Sequence, residues 1–345
     1  MGIASSVTIA FAGVEPRLPN ARGPLTSAVL EVLGQRAARQ HLRRIEVPLA
    51  EADPLGLDFQ LALYVCYELH YRGFAGVDSR WEWDPGLLHL RGRLEDVFLS
   101  EIRRMVGTID PGTTAADEMD RLSREPVTGE GPSYHLRDAG TWEQMLEYFV
   151  HRSIYHLKEG DPHAFAIPRL IGQAKASFVA VEFDEYGGGR GHRLHQQLFA
   201  DLLDACGLRS SYLGYLEHVP AESLMVVNLM SLFGLHRDLR GAAVGHFAAT
   251  EITSPPGSRR MAQALRRLQA PAACIAFYDE HVEADAVHEQ VVRTGVVADM
   301  VAREPALDTD VVFGIRAFGV VEDLLADHLM GCWKAGRSSL DRPLV

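Results

Sequence analysis

Two histidines and an aspartate, His281, Asp285 and His288, stand at i, i+4 and i+7 in the stretch from Phe277 to Glu289. In a helix each residue turns about 100° around the axis, so the three share one face and stack two imidazoles around a carboxylate. Imidazole plus carboxylate without thiolate is a donor set that suits iron or manganese at least as well as zinc. The same stretch holds Asp279, Glu280, Glu283 and Glu289. A solvated acidic face produces a similar pattern, so this spacing alone leaves both readings open.

Two further stretches offer the other half of a metal centre. Glu182, Asp184 and Glu185 precede Tyr-Gly-Gly-Gly-Arg-Gly, and His192 and His195 follow it. No Lys-Ser/Thr follows these glycines and no strand precedes them, which argues against a phosphate cradle. A bend between two helical pieces is the expected use of the run. Glu182 with His192 and Glu185 with His195 have the same spacing, so the register is open. Glu251 closes a segment of small residues, Arg240 to Thr250, that permits close helix contact. A carboxylate in such packing is costly unless a cation or a hydrogen-bond partner meets it.

The elements that must position these residues read as helices throughout. Helical patterns cover Leu25 to the basic segment Arg36–Arg44, Phe59 to about Tyr71, and Pro85 to about Val106, the last with Asp84 as N-cap and Pro85 at the first position. A short helix near Ala115–Arg124 follows, then one capped by Thr141 and running through Glu159, and one from His163 to about Tyr186. Further helices cover Leu198–Cys206, Pro220–Phe233, Arg240–Thr250, the His281 stretch, and Ala317–Trp333. Pro255-Pro256-Gly257 is expected to stop the Arg240 helix. With about a dozen helices and no convincing alternating strand, the fold class is an all-α bundle. Residues 1–23 read as a loose arm. The Pro- and Gly-rich stretch before Gly140 divides a helical unit, 1–139, from a second unit, 140–345.

At 345 residues the chain is long enough for a substantial core, and 47% hydrophobic with 23% charged residues is the balance of a globular protein. A net charge of −12 with scattered Lys and Arg argues against a nucleic-acid binder. Cys66, Cys206, Cys274 and Cys332 have no metal or redox spacing and read as small buried residues of a reducing, cytoplasmic protein; no segment reads as a membrane span. Glu68, His70, Glu82 and His89 in a Trp- and Tyr-rich turn read as buried structural partners rather than a second metal site.

The His281-x3-Asp285-x2-His288 helix, Glu251, and Glu185-Tyr-Gly-Gly-Gly with His195 together resemble the ligand set of the haem-oxygenase-like di-iron oxidases and oxygenases, over about residues 140–335. The resemblance implies a haem-oxygenase-like bundle with two Fe(II) ions and O2 as co-substrate, a Mn/Fe pair being the variant. It implies Glu185 and His195 as the first Glu and His, Glu251 as a bridging or capping carboxylate, His281, Asp285 and His288 as the final trio, and Glu159 as an additional carboxylate. The implied activity is oxidation of a small amine, amino acid or carboxylic acid in specialised metabolism, with an external electron donor as partner. The Trp- and Tyr-rich helices of the N-terminal unit are expected either to complete the bundle or to form the face of a homodimer. Tyr186, Asn228 and Arg240 are candidate substrate contacts. The rival reading is a non-catalytic helical module that binds a tetrapyrrole or a partner protein.

Overall fold

The computed structural model describes residues 15–36, 45, 47, 49–124 and 128–344, without the side chains of Ala50, Asp285 and Ala286. Most of the loose arm and the Arg36–Arg44 segment therefore lie outside the described residues. The described part of the arm has no helix, yet it is tied down: Arg22 pairs with Glu217 at 3.2 Å, and Ala75 N–H donates to the Pro16 carbonyl at 2.8 Å.

The described residues form helices α1 (Pro24–Leu33), α2 (Leu57–Glu68), α3 (Pro85–Val106), α4 (Ala115–Leu122), α5 (Pro132–Asp138), α6 (Trp142–His156), α7 (Asp161–Ala164), α8 (Gly172–Glu185), α9 (His195–Ala205), α10 (Ala221–Leu235), α11 (Arg240–Arg267), α12 (Ala272–Val291), α13 (Ala298–Arg303) and α14 (Asp308–Lys334). Among them there is no strand, and the fold is all-α. No helix among the described residues is long and apolar enough to cross a membrane.

Local chemistry sets several of these ends. Asp84 accepts from the N–H groups of Gly86 and Leu87 at 2.9 and 3.0 Å, with Pro85 behind it. Thr141 and Gln144 form a reciprocal capping box on α6. Around them α10 is buried nearly all round, as a central helix must be. It packs on α2, α6, α11 and α14, and α11 packs on α12 and α14. Gly245 and Gly314 let α11 and α14 approach until backbone meets backbone, with no room for a Cβ on either.

Three expectations about continuity differ from the structure. First, α11 does not stop at Pro255-Pro256 but runs on to Arg267. The two prolines remove N–H groups that would bond the carbonyls of Glu251 and Ile252. Burial of Pro255, Met261, Ala262, Ala264 and Leu265 on the following turns outweighs that loss. Second, the run from His163 to Tyr186 is not one helix: Pro168 and Gly172, at φ +61°, separate α7 from α8. Third, α6 ends at His156, and Lys158 N–H turns back to the Tyr155 carbonyl at 2.8 Å. Glu159 therefore sits in a tight turn rather than in a helix.

Continuing from α12, a single π-helical turn, Val292–Val297, leads into α13 and packs on α8. Such turns concentrate at functional sites. Cys66, Cys274 and Cys332 are buried thiols, and Cys206 is half-buried with its Sγ 3.1 Å from that of Cys274.

Candidate metal centre

Four segments converge inside the bundle: the turn after α6, the end of α8 with the start of α9, the middle of α11, and α12. The bend between α8 and α9 depends on Gly187, which has φ +66° and where a Cβ would lie 2.5 Å from the backbone of Arg193. That close return brings His195 back onto Glu185, Nδ1 to Oε2, at 2.7 Å.

Two groups of donors result, each with its ligand atoms within 4.8 Å of one another and all residues buried: Glu159, His195 and His281, and Glu185, Glu251 and His288. Glu185 belongs to the second group but reaches both, with one oxygen on His195 and the other 3.6 Å from His288 Nδ1. Glu185 thus lies between the two groups, because the end of α8 faces α9 on one side and α12 on the other. Glu251 lies 3.2 Å from His288 Nδ1. Glu159, expected as an additional carboxylate, stands inside the first group, its Oε2 3.7 Å from His281 Nε2. Asp285 is on α12, and its side chain lies outside the described residues.

The register question has a geometric answer. His192 is exposed, while Glu185 and His195 are in contact. Glu182 is buried, and neither of its oxygens has a hydrogen-bond partner. It lines a void of about 20 Å³, shared with Glu159, Glu185, Glu251 and His281, that is large enough for about one water. Burial, and then repulsion from Glu185, Glu251, Asp161 and Glu159, pushes its carboxyl well above the usual range.

Hydrogen bonds set the imidazoles for ligation. His281 Nδ1–H donates to the Phe277 carbonyl at 2.7 Å, which turns the Nε2 lone pair toward Glu159. His288 Nε2–H donates to Asp184 at 3.2 Å, which turns Nδ1 toward Glu185 and Glu251. The inner nitrogens thus face carboxylates in both groups; without a metal a shared proton satisfies each pair, and a metal cation can take the place of that proton. The donors fit iron: nitrogen and oxygen atoms only, in two adjacent clusters, with more carboxylates than a lone cation needs. Burial alone would raise the Glu159 carboxyl. The imidazoles of His156, 2.8 Å away, and His281 outweigh it and hold Glu159 well below the usual range. Burial opposes charging of His195, but the Glu185 carboxylate outweighs it and raises that imidazole.

Beside the first group lies a cavity of about 250 Å³. Its walls include Glu159, His281 and His156, apolar Phe277, Met230 and Phe318, the phenol of Tyr278, and the bidentate Arg152–Glu322 pair. His156 and this wall were not legible as site residues in the sequence; only the i, i+3 spacing of His156 and Glu159 pointed that way. The three candidate substrate contacts do other work. Tyr186 donates to Asp161, Asn228 donates to the Gln60 carbonyl and side chain, and Arg240 pairs with Glu304. Each is engaged by fold contacts, and none lines the cavity. Glu280 pairs with Arg193, Glu289 pairs with Arg293 and Glu283 is exposed, so the remaining acids of α12 face away from the clusters. In the tempting second site, His70 is held by Glu82 and by the guanidinium of Arg91, and His89 is exposed. A cation already occupies that ground.

Residues 146–321, just over half of the chain, match the family model described as iron-containing redox enzyme. The chain is also similar to nitrosourea synthase of Streptomyces achromogenes subsp. streptozoticus, 25% identical over 169 residues, which are 49% of this chain and 36% of that protein. The matched stretch thus spans about a third of that relative's length. Family match, all-α fold and paired His/Glu clusters agree, and the chain belongs to the haem-oxygenase-like family of iron-containing redox enzymes.

Proposed function

We propose that the protein is a non-haem di-iron, O2-dependent oxidase or oxygenase of a small amine, amino acid or carboxylic acid. The observation that carries this reading is the pair of buried donor clusters with Glu185 between them. Bound there by Glu159, His195 and His281 and by Glu185, Glu251 and His288, with Asp285 as the further α12 ligand, iron supplies the redox chemistry with O2.

The chain's own residues do the rest. Phe277 and Asp184 keep a proton on the outer nitrogens of His281 and His288, so the inner nitrogens stay available as lone pairs. His156 fixes one Glu159 oxygen and leaves the other toward the cluster. The cavity against Glu159 and His281 holds the substrate; its aromatic wall excludes water, and Tyr278 and the Arg152–Glu322 pair provide polar contacts that orient it.

Anaerobic Fe(II) titration of metal-free protein tests the reading. Two equivalents are expected, with a transient visible absorption on admitting O2. Iron binding unchanged by both His281→Ala and His288→Ala would sink it. Metal analysis with Mössbauer and EPR spectra separates two Fe ions from a Mn/Fe pair.

A further inference from the structure

Helix α2 and the turn after it lie outside the family match, yet they grip the backbone that carries the first cluster. Glu68, fully buried at the end of α2, accepts from Lys158 Nζ at 2.9 Å and from the Tyr212 hydroxyl at 2.8 and 2.9 Å. Lys158 immediately precedes Glu159, and its buried ammonium also lies over the rings of Tyr64 and Tyr71 at 4.5 and 4.2 Å. Four residues on, Arg72 stacks on Tyr212 at 4.1 Å and donates to the Gln196 side-chain oxygen at 2.8 Å. Gln196 immediately follows His195. Its amide nitrogen donates to the Glu159 carbonyl at 3.0 Å and to Asp161 at 3.1 Å. One short network from α2 thus pins the segments of Glu159 and His195 against each other. In the second cluster, His288 is held by a different residue, Asp184.

We infer that Glu68 and Arg72 are positioning residues for the metal position formed by Glu159, His195 and His281, and not for the position formed by Glu185, Glu251 and His288. This rests on the di-iron reading. A buried ion pair and a guanidinium–amide bond are directional, so they fix where two backbone segments meet in a way that apolar packing of α2 does not. Partners one bond removed from a ligand typically tune metal affinity by about 10–100-fold.

Co(II), followed by its d–d absorption under anaerobic conditions, reads the two positions separately in single-cluster backgrounds of the full chain. In His288→Ala, which leaves the first position, Arg72→Met or Glu68→Gln is expected to weaken Co(II) binding by about tenfold or more and to change the band shape. In His281→Ala, which leaves the second position, the same changes should weaken binding several-fold less, since that position meets the network through the contact of Glu185 with His195 and not through its own backbone segments. Arg72→Lys, which keeps a donor for Gln196, should restore much of the loss. Tyr212→Phe, a milder change to the same network, serves if Arg72→Met does not fold. Phe98→Leu in the core of α3 is the control for plain destabilisation. Equal weakening in both backgrounds, as a general loss of stability gives, overturns the inference, and so does no weakening in either. If the unmodified protein binds fewer than two equivalents, the di-iron reading falls and this inference with it. Two equivalents without position selectivity overturn this inference alone.

Discussion

The two clusters share one chemistry but not one setting. Glu159, His195 and His281 are surrounded by other protein groups: His156 holds Glu159, the Phe277 carbonyl holds His281, and Gln196 ties the two chain segments together. Around Glu185, Glu251 and His288 an outer partner is Asp184, whose side chain is 58% exposed, and the chain beyond His288 passes into a π-helical turn. Both clusters are buried; the first adjoins the cavity and is held by buried groups, while His288 of the second is held by a charged side chain that reaches solvent. An exposed carboxylate is screened by solvent and orders an imidazole less firmly than a buried backbone carbonyl does. On the proposed di-iron reading, tighter binding is expected at the first position than at the second.

Removing a ligand from either side tests that comparison most severely. His281→Ala should cost the tighter of two Fe(II) equivalents and His288→Ala the weaker one, each abolishing turnover, as read by anaerobic titration with a chromophoric chelator. A reversed order of affinities would break the comparison.

A smaller effect is expected from Asp184→Asn. Loss of the charged acceptor on His288 Nε2 should weaken the second position by about tenfold and leave the first little changed. Equilibrium dialysis at a series of Fe(II) concentrations would show one step of the binding curve moving and the other staying.

Glu182 gives a prediction with a defined pH dependence, for metal-free protein. Its folded-state carboxyl is raised above the unfolded value, so the folded protein holds the proton more tightly. The cost to stability is absent below the ordinary carboxylate range, about pH 4.3, and grows as pH rises through and above it. Glu182→Gln removes the titration, so the variant should melt higher than the parent at pH 7, with the gap closing as pH falls through that range. Thermal unfolding at several pH values checks this. A gap that widens toward acid would contradict the burial of Glu182 as an unpartnered acid.

The smallest effect concerns α11. Pro256→Ala restores an N–H that can bond the freed Ile252 carbonyl, so the helix should gain stability of order 1 kcal/mol without loss of either metal position. Weakened binding at the position holding Glu251 would mean that the prolines shape the site and are not merely tolerated.

The helical class, the shared face of His281 and His288, and the caps at Asp84 and Thr141 were legible in the residues alone. Those features depend on contacts within a few residues, and periodicity and capping chemistry report them directly. The sequence also marked Glu185, His195, Glu251 and Glu159 as residues worth bringing together, through a resemblance in their spacing. Packing of distant segments set that Glu185 and not Glu182 meets His195, that Glu159 stands within the first cluster, and that Glu185 lies between the two. It also set that α11 continues through Pro255 and Pro256 and that Glu68 and Arg72 bond Lys158 and Gln196, the neighbours of Glu159 and His195. Each of these depends on which distant segments share a small buried volume, and there burial outweighs local propensity. A carboxylate becomes a ligand when three other chain segments converge on it, and no spacing along one segment encodes that convergence.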